Sequence, residues 1–268
     1  MTRRYVIDRT LLTLAQVGAT VLALYLWQLG ADHNVINPLF FSKPTAIWDF
    51  LKLWASSNQP AGHSTNTTLW QDLESTLVVF GLGYVIATGI GIVMGLLIGA
   101  VALVREVLEP FIAFMNAMPR LALLPILLVV FGFGQVAQII LVILVCVFMV
   151  MVNIATGVQD IRSDLLNNAR MLGAGRLELI RHIYLPSLTI WVLSTARVTI
   201  GYAVQAAIAA EFIGAARGLG FRFSDAQSRF RSDEMFAAFA VVLLLALAVD
   251  IVLGRVEKRT TRWMPSKA

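Results

Sequence analysis

Charge is scarce in this chain. Only 14% of its 268 residues are Asp, Glu, Lys or Arg, against about 25% in ordinary soluble domains. That shortage excludes a soluble enzyme and a disordered tail. Cysteine is nearly absent. Cys146 stands alone, so no internal disulfide can form and a secreted disulfide scaffold is excluded. The three histidines, His33, His63 and His182, are scattered and compose no zinc motif. No Gly-Lys pair occurs, so the G-x-x-x-x-G-K-[ST] nucleotide loop is missing. No G-x-S-x-G elbow is present, and no Ser/His/Asp set is suggested by spacing. Acids inside apolar runs are few: Glu211 lies near one end of a run and Asp250 near the end of another. Ion-driven carriers often place acids at mid-depth.

Apolar residues are abundant. They make up 58% of the chain, and the mean hydropathy is +0.78. The composition is that of an all-α, polytopic membrane protein. One span takes about 20 residues, so six take roughly 120 and the rest is loops. A single transmembrane domain over residues 1–268 is expected, with core helices at about 75–256. The apolar runs place spans near 11–30, 75–103, 110–131, 136–156, 187–210 and 236–254. The first run follows Arg3 and Arg4. It is long for a signal-peptide core and lacks a small-x-small cleavage site, which predicts a retained helix.

The net charge of +5 would suggest nucleic acid in a soluble protein. Here the bases sit between spans and follow the positive-inside tendency instead, so no nucleic-acid partner is expected. With the N-terminus inside, thirteen of the 21 Lys and Arg fall on the cytoplasmic side. Six fall outside, and Arg120 and Arg197 lie within spans. The bias predicts both termini in the cytoplasm and an even number of spans.

The outer segment 31–74 alternates Phe40, Phe41, Ile47, Trp48, Phe50, Leu51 and Trp54 with polar groups. Part of it is expected along the membrane surface. In the second span, Ala87, Gly91, Gly95 and Gly99 repeat every four residues. Such a ridge lets another helix approach closely, either within the chain or from a second subunit. In the third span, Asn116 and Arg120 are four apart and share a helical face. Ser194, Arg197, Gly201 and Gln205 share a face of the fifth.

A charged group at depth costs at least roughly 2.5–3.5 kcal/mol on insertion scales. These faces are therefore expected toward protein or a wet passage. Arg197 stands eleven residues beyond Pro186, roughly 16 Å along a helix. Either the arginines attract an anionic solute, or they tie helices together through carbonyls or Glu211. Glu211, before a glycine-rich turn, can gate the outer end, pair with an arginine of 217–231, or satisfy loop amides. Asn153 is a lone polar group suited to a helix–helix hydrogen bond. The outer bases Arg217, Arg222, Arg229 and Arg231, with Asp225, Asp233 and Glu234, make either a solvated loop or a contact for another protein.

The inner segment 157–186 is the longest on its side, and its stretch 160–186 carries the pattern. Leu165, Leu166, Ala169 and Leu172 form one apolar edge at helical spacing. Gly173-Ala174-Gly175 then breaks the helix. A second amphipathic piece follows, with Leu177, Ile180 and Ile183 on one side. Pro186 suits the first turn of the next span. A surface-lying connector would satisfy the same pattern.

The segment also resembles the E-A-A-x3-G-x9-I-x-L-P pattern of the integral permeases of bacterial ATP-binding cassette importers. Ala169, Gly173, Ile183, Leu185 and Pro186 stand at the matching offsets, while Asn167 and Asn168 replace the first two letters. The likeness is greatest to the branch importing aliphatic sulfonates, taurine, nitrate and pyrimidine-type vitamin precursors. It extends to Lys43-Pro44-Thr45-Ala46-Ile47, to Pro119-Arg120-Leu121-Ala122-Leu123-Leu124-Pro125 and to Phe131-Gly132-Phe133-Gly134. Ala210-Glu211-Phe212-Ile213-Gly214-Ala215, Gly218-Leu219-Gly220, Asp250, Glu257-Lys258-Arg259 and Trp263 also fit.

The resemblance implies a type I importer permease fold with a cytoplasmic coupling helix. It places Ala169, Arg170, Leu172, Gly173, Ala174, Gly175, Ile183, Leu185 and Pro186 in the coupling segment, with Ala169 to Gly175 against the ATPase. Two ATPase subunits carrying ATP and Mg, a second permease copy and a solute-binding protein are the implied partners. The chain itself would bind no cofactor and do no chemistry. Asn116, Arg120, Asn153, Ser194, Arg197, Gln205 and Glu211 are the candidate passage residues. An ion-gradient-driven secondary transporter is the rival reading.

Overall fold

The computed structural model describes residues 2–33, 35–37, 40–56, 67–161 and 163–260. Among them every regular element is helical. Five helices are long and apolar enough to cross a membrane, and a bent pair supplies a sixth crossing if counted as one span. The chain packs as two compact units, residues 1–70 with 222–241, and 71–221 with 242–268.

In the first unit, α1 (Thr2–Asp32) carries a span whose side chains are almost all exposed. Its end is tied down by Lys43, whose Nζ lies 2.9 Å from the Asp32 carboxylate. Helix α2 (Pro44–Ser56) buries Ile47, Phe50 and Trp54 and exposes Trp48, the one-sided pattern of a surface-lying helix. The Arg222 guanidinium sits 5.0 Å from the Trp54 ring and donates to the Thr67 carbonyl. Trp27 and Phe41 flank Phe236.

The second unit is built around α3 (Leu69–Ala100), α6 (Gln135–Gln159) and α9 (Leu185–Gly214). The glycine ridge of α3 is spent within the chain. A Cβ added at Gly83, Gly91, Gly95 or Gly99 would stand 2.5–2.7 Å from the Cβ of Val142, Val150, Ile154 or Val158. Each step of four or eight on α3 matches an equal step on α6, so the two helices run parallel with small residues facing branched ones. Helix α9 returns antiparallel across α6. Trp191 fills the notch at Gly157, and the Cys146 thiol lies 3.8 Å from the Thr199 carbonyl.

The span expected at 110–131 is two helices, not one. Helix α4 (Ala102–Ala117) and the stretch Arg120–Phe131, a 3₁₀ turn leading into α5 (Leu124–Phe131), meet at 84°. The cause is Met118-Pro119. A residue before proline is pushed out of the helical region, and Met118 is extended at φ −75°, ψ 135°. Pro119 adds no N–H to bridge the gap. The remaining elements are α7 (Ser163–Met171), α8 (Arg176–Leu179), a π turn (Ile180–Tyr184), α10 (Leu219–Ser228) and α11 (Ser232–Thr260).

Candidate docking segment and solute passage

The segment after α6 is a small folded unit. Helix α7 ends where Gly173 takes φ +88°, a conformation that favours glycine. The Ala174 N–H then donates to the Ala169 carbonyl at 3.0 Å, the six-to-one bond of a Schellman ending. One residue later the Glu178 carboxylate accepts from the Gly175 N–H at 2.8 Å. That reaching-back bond starts α8 as a capping box does. Ala169, Ala174 and Ile183 pack with Leu179, Tyr184 and Leu188 on Ile154 and Val158 of α6. The segment therefore sits on the core, while Met171 and Leu172 stand 86% and 88% exposed at its tip. The side chains of Arg170, Leu185 and Pro186 lie outside the described residues.

Two expected apolar edges are corrected. Leu177 and Ile180 are exposed, and the buried positions are Leu179, Tyr184 and Leu188. The reason is the π turn, whose wider ring shifts the buried positions. Pro186, lacking an N–H and clashing with the carbonyl four residues back, favours that widening. Pro186 itself opens α9, as expected. Leu165 of α7 and Leu172 just beyond it are exposed, and Ala169 turns partly inward; the side chain of Leu166 lies outside the described residues.

Along α9, Ser194, Arg197, Gly201 and Gln205 are all exposed, while Thr195, Thr199, Ala203 and Ala207 are buried. The helix thus presents one polar face away from its own core. Arg197 Nε lies 3.7 Å from the Asp250 carboxylate of α11. Arg120 donates through Nη1 to the Val145 carbonyl at 2.9 Å and through Nη2 to the Asn116 side chain. Its guanidinium covers the Phe148 ring at 5.5 Å. Asn116 and Arg120 thus meet across the Met118-Pro119 bend rather than along one helix. They line a cavity of about 370 Å³ with Leu121 and Val145. Asn153 is half-buried and makes no hydrogen bond among the described residues.

Glu211 is fully buried at the far end of α9. Its carboxylate accepts from the Thr76 hydroxyl and the Gly220 N–H, each at 2.9 Å. The Gly218 N–H donates to Asp72 at 3.1 Å and the Leu219 N–H to the Thr76 hydroxyl at 3.0 Å. Glu211 therefore serves the Thr76 hydroxyl and one amide at the start of α10 (Leu219–Ser228) and, among the described residues, no arginine. Asp72 and Thr76 escaped the sequence reading because α3 starts at Leu69 rather than 75. The signal was an Asp and a Thr one helical turn apart at the mouth of an apolar run. Of the bases in 217–231, Arg222 is buried, Arg229 pairs with Asp225 and Arg231 with Glu234.

Residues 87–262 match the family model described as a binding-protein-dependent transport system inner membrane component. The chain belongs to this family. Among curated relatives of this permease, the taurine transport system permease protein of Escherichia coli (strain K12) is 30% identical over 247 residues, covering 92% of this chain and 88% of that one. The nitrate import permease protein of Leptolyngbya laminosa is 30% identical over 198 residues, covering 74% and 71%. A putative aliphatic sulfonates transport permease protein of Bacillus subtilis (strain 168) is 24% identical over 241 residues, covering 90% and 84%. The inward-facing MetNI methionine ABC transporter matches with a TM-score of 0.58 at 20% identity, covering 71% of this permease and 93% of that chain. That likeness shows the fold. The chain is thus a multi-pass inner membrane permease of an ATP-binding cassette importer.

Proposed function

We propose that this permease forms the passage for a small anion of the taurine, sulfonate or nitrate type, as one of two identical copies. Its two compact units work as one permease domain, with both termini cytoplasmic. One ATPase subunit docks on residues 163–186 of each copy and carries the ATP and Mg. A solute-binding protein delivers cargo at the opposite face. The permease itself does no chemistry; it turns closure of the ATPases into alternating access.

The observation that carries this reading is the exposed polar face of α9. An arginine on an apolar span must meet water, solute or protein rather than lipid, and a second copy facing it would enclose a wet passage. Ser194, Arg197 and Gln205, with Asn116, Arg120 and Asn153, supply donors suited to an oxyanion. Glu211 holds the outer end of α9. At the other end α9 grows directly out of the docking segment, so displacement of the Met171-Leu172 tip is transmitted along a helix about 45 Å long.

The test is reconstitution with the companion ATPase and binding protein, followed by uptake of labelled taurine, an alkane sulfonate, nitrate and an uncharged pyrimidine. ATP-dependent uptake of one anion, lost on Gly173→Glu together with ATPase recovery, supports the proposal. Uptake confined to the pyrimidine would reject the anion assignment.

A further inference from the structure

Where α3 and α6 end and α4 begins, a cavity of about 190 Å³ has an apolar floor and a charged rim. Ile98 and Met151 belong to the floor. Arg105, Glu109, Thr156 and Gln159 make the rim. The Arg105 side chain is half-buried and that of Glu109 exposed, and among the described residues neither side chain makes a hydrogen bond or ion pair. The two stand four residues apart on α4, roughly 5–6 Å between Cβ atoms. Thr156 spends its hydroxyl hydrogen on the Val152 carbonyl, so its oxygen is left to accept. The rim therefore offers a guanidinium fork on one side and acceptors, Glu109 and Thr156, on the other.

We propose that this cavity binds a zwitterion in which a tetrahedral oxyanion and a primary ammonium are two carbons apart. Arg105 takes the oxyanion, and Glu109 with Thr156 takes the ammonium. Two molecules share that chemistry: the head group of an ethanolamine phospholipid, and free taurine. A purely anionic head group would face Glu109 without compensation, and a trimethylammonium has no N–H for Glu109 to accept. The cavity shares no lining residue with the candidate passage.

The purified full-length chain would be stripped of lipid in detergent and its bound lipids counted by native mass spectrometry. Phosphatidylethanolamine, phosphatidylcholine and phosphatidylglycerol of identical acyl chains are supplied, and taurine is titrated calorimetrically without lipid. Phosphatidylethanolamine is expected to be retained about tenfold over the other two, and Arg105→Gln and Glu109→Gln each to abolish the preference. Neither side chain has a partner to lose, so both variants keep the wild-type melting temperature. Taurine heat lost in both variants, without lipid preference, assigns the site to the free solute. Equal retention of the three lipids without taurine heat overturns the proposal. So does a preference surviving both substitutions, or taurine heat lost in Arg120→Gln but intact in Arg105→Gln.

Discussion

Thr76 of α3 donates to the Glu211 carboxylate of α9 at 2.9 Å, with both side chains fully buried. The same hydroxyl accepts from the Leu219 N–H, so one oxygen joins two spans to the start of α10. Thr76→Val removes both bonds, leaving the Leu219 N–H unpaired and the Glu211 carboxylate with the Gly220 N–H alone, at a cost of about 1–3 kcal/mol. Thr76→Ser keeps the hydroxyl. Melting in detergent should drop by several degrees for Val and hardly at all for Ser; equal drops would mean that packing, not hydrogen bonding, holds this corner.

At Gly95 a side chain has nowhere to go. An added Cβ would stand 2.7 Å from the Met151 carbonyl oxygen and 2.7 Å from the Ile154 Cβ. Backbone cannot step aside cheaply, so Gly95→Val is expected to abolish the folded yield on solubilisation, costing more than about 3 kcal/mol. Gly89, on the same helix, meets nothing within 4 Å. Gly89→Ala should be neutral or slightly stabilising, by up to about 1 kcal/mol.

The exposed tip of the docking segment separates contact from folding. Leu172 is 88% exposed, and surface substitutions of this kind stay within about 0.5 kcal/mol. Leu172→Glu should therefore leave the melting temperature unchanged. Co-purified ATPase should nevertheless fall at least about tenfold, because a charge would be buried at the interface. Undiminished recovery would place the ATPase elsewhere.

The two intramembrane arginines differ in how they are held. Arg120 bonds the Val145 carbonyl and Asn116, whereas Arg197 faces Asp250 at 3.7 Å with half of its side chain exposed. At equal expression, Arg197→Gln should lower anion uptake about tenfold or more, equivalent to about 1.4 kcal/mol. Arg120→Gln should lower uptake and stability together, since the Val145 carbonyl loses its charged donor. Uptake unchanged in both variants would remove the arginines from the passage.

Periodic features were the legible ones. Gly91, Gly95 and Gly99 declared a close helix approach by spacing alone, although the partner, α6 of the same chain, needed coordinates. Gly173 and Pro186 marked the turn and the start of α9 because each restricts its own backbone. Hydropathy concealed what backbone chemistry could have revealed. The apolar run continues through Met118-Pro119, so the 84° bend looked like uninterrupted span. Glu178 folds back onto Gly175, a bond readable only once the helix start is known. The π turn altered the spacing that a regular helix would impose, which misplaced the inward edge at Leu177 and Ile180. Partners far apart in sequence, such as Thr76 with Glu211 or Arg197 with Asp250, left no local trace.

The meshing of α3 with α6 limits how the permease can move. A slip of half a turn along the helix axis, about 2.7 Å, would carry the branched side chains of α6 out of their glycine notches and against the backbone between them. The seam behaves as a ratchet with no intermediate stops. Interlocked along this seam, α3 and α6 are expected to move as one plate in any rearrangement of the permease.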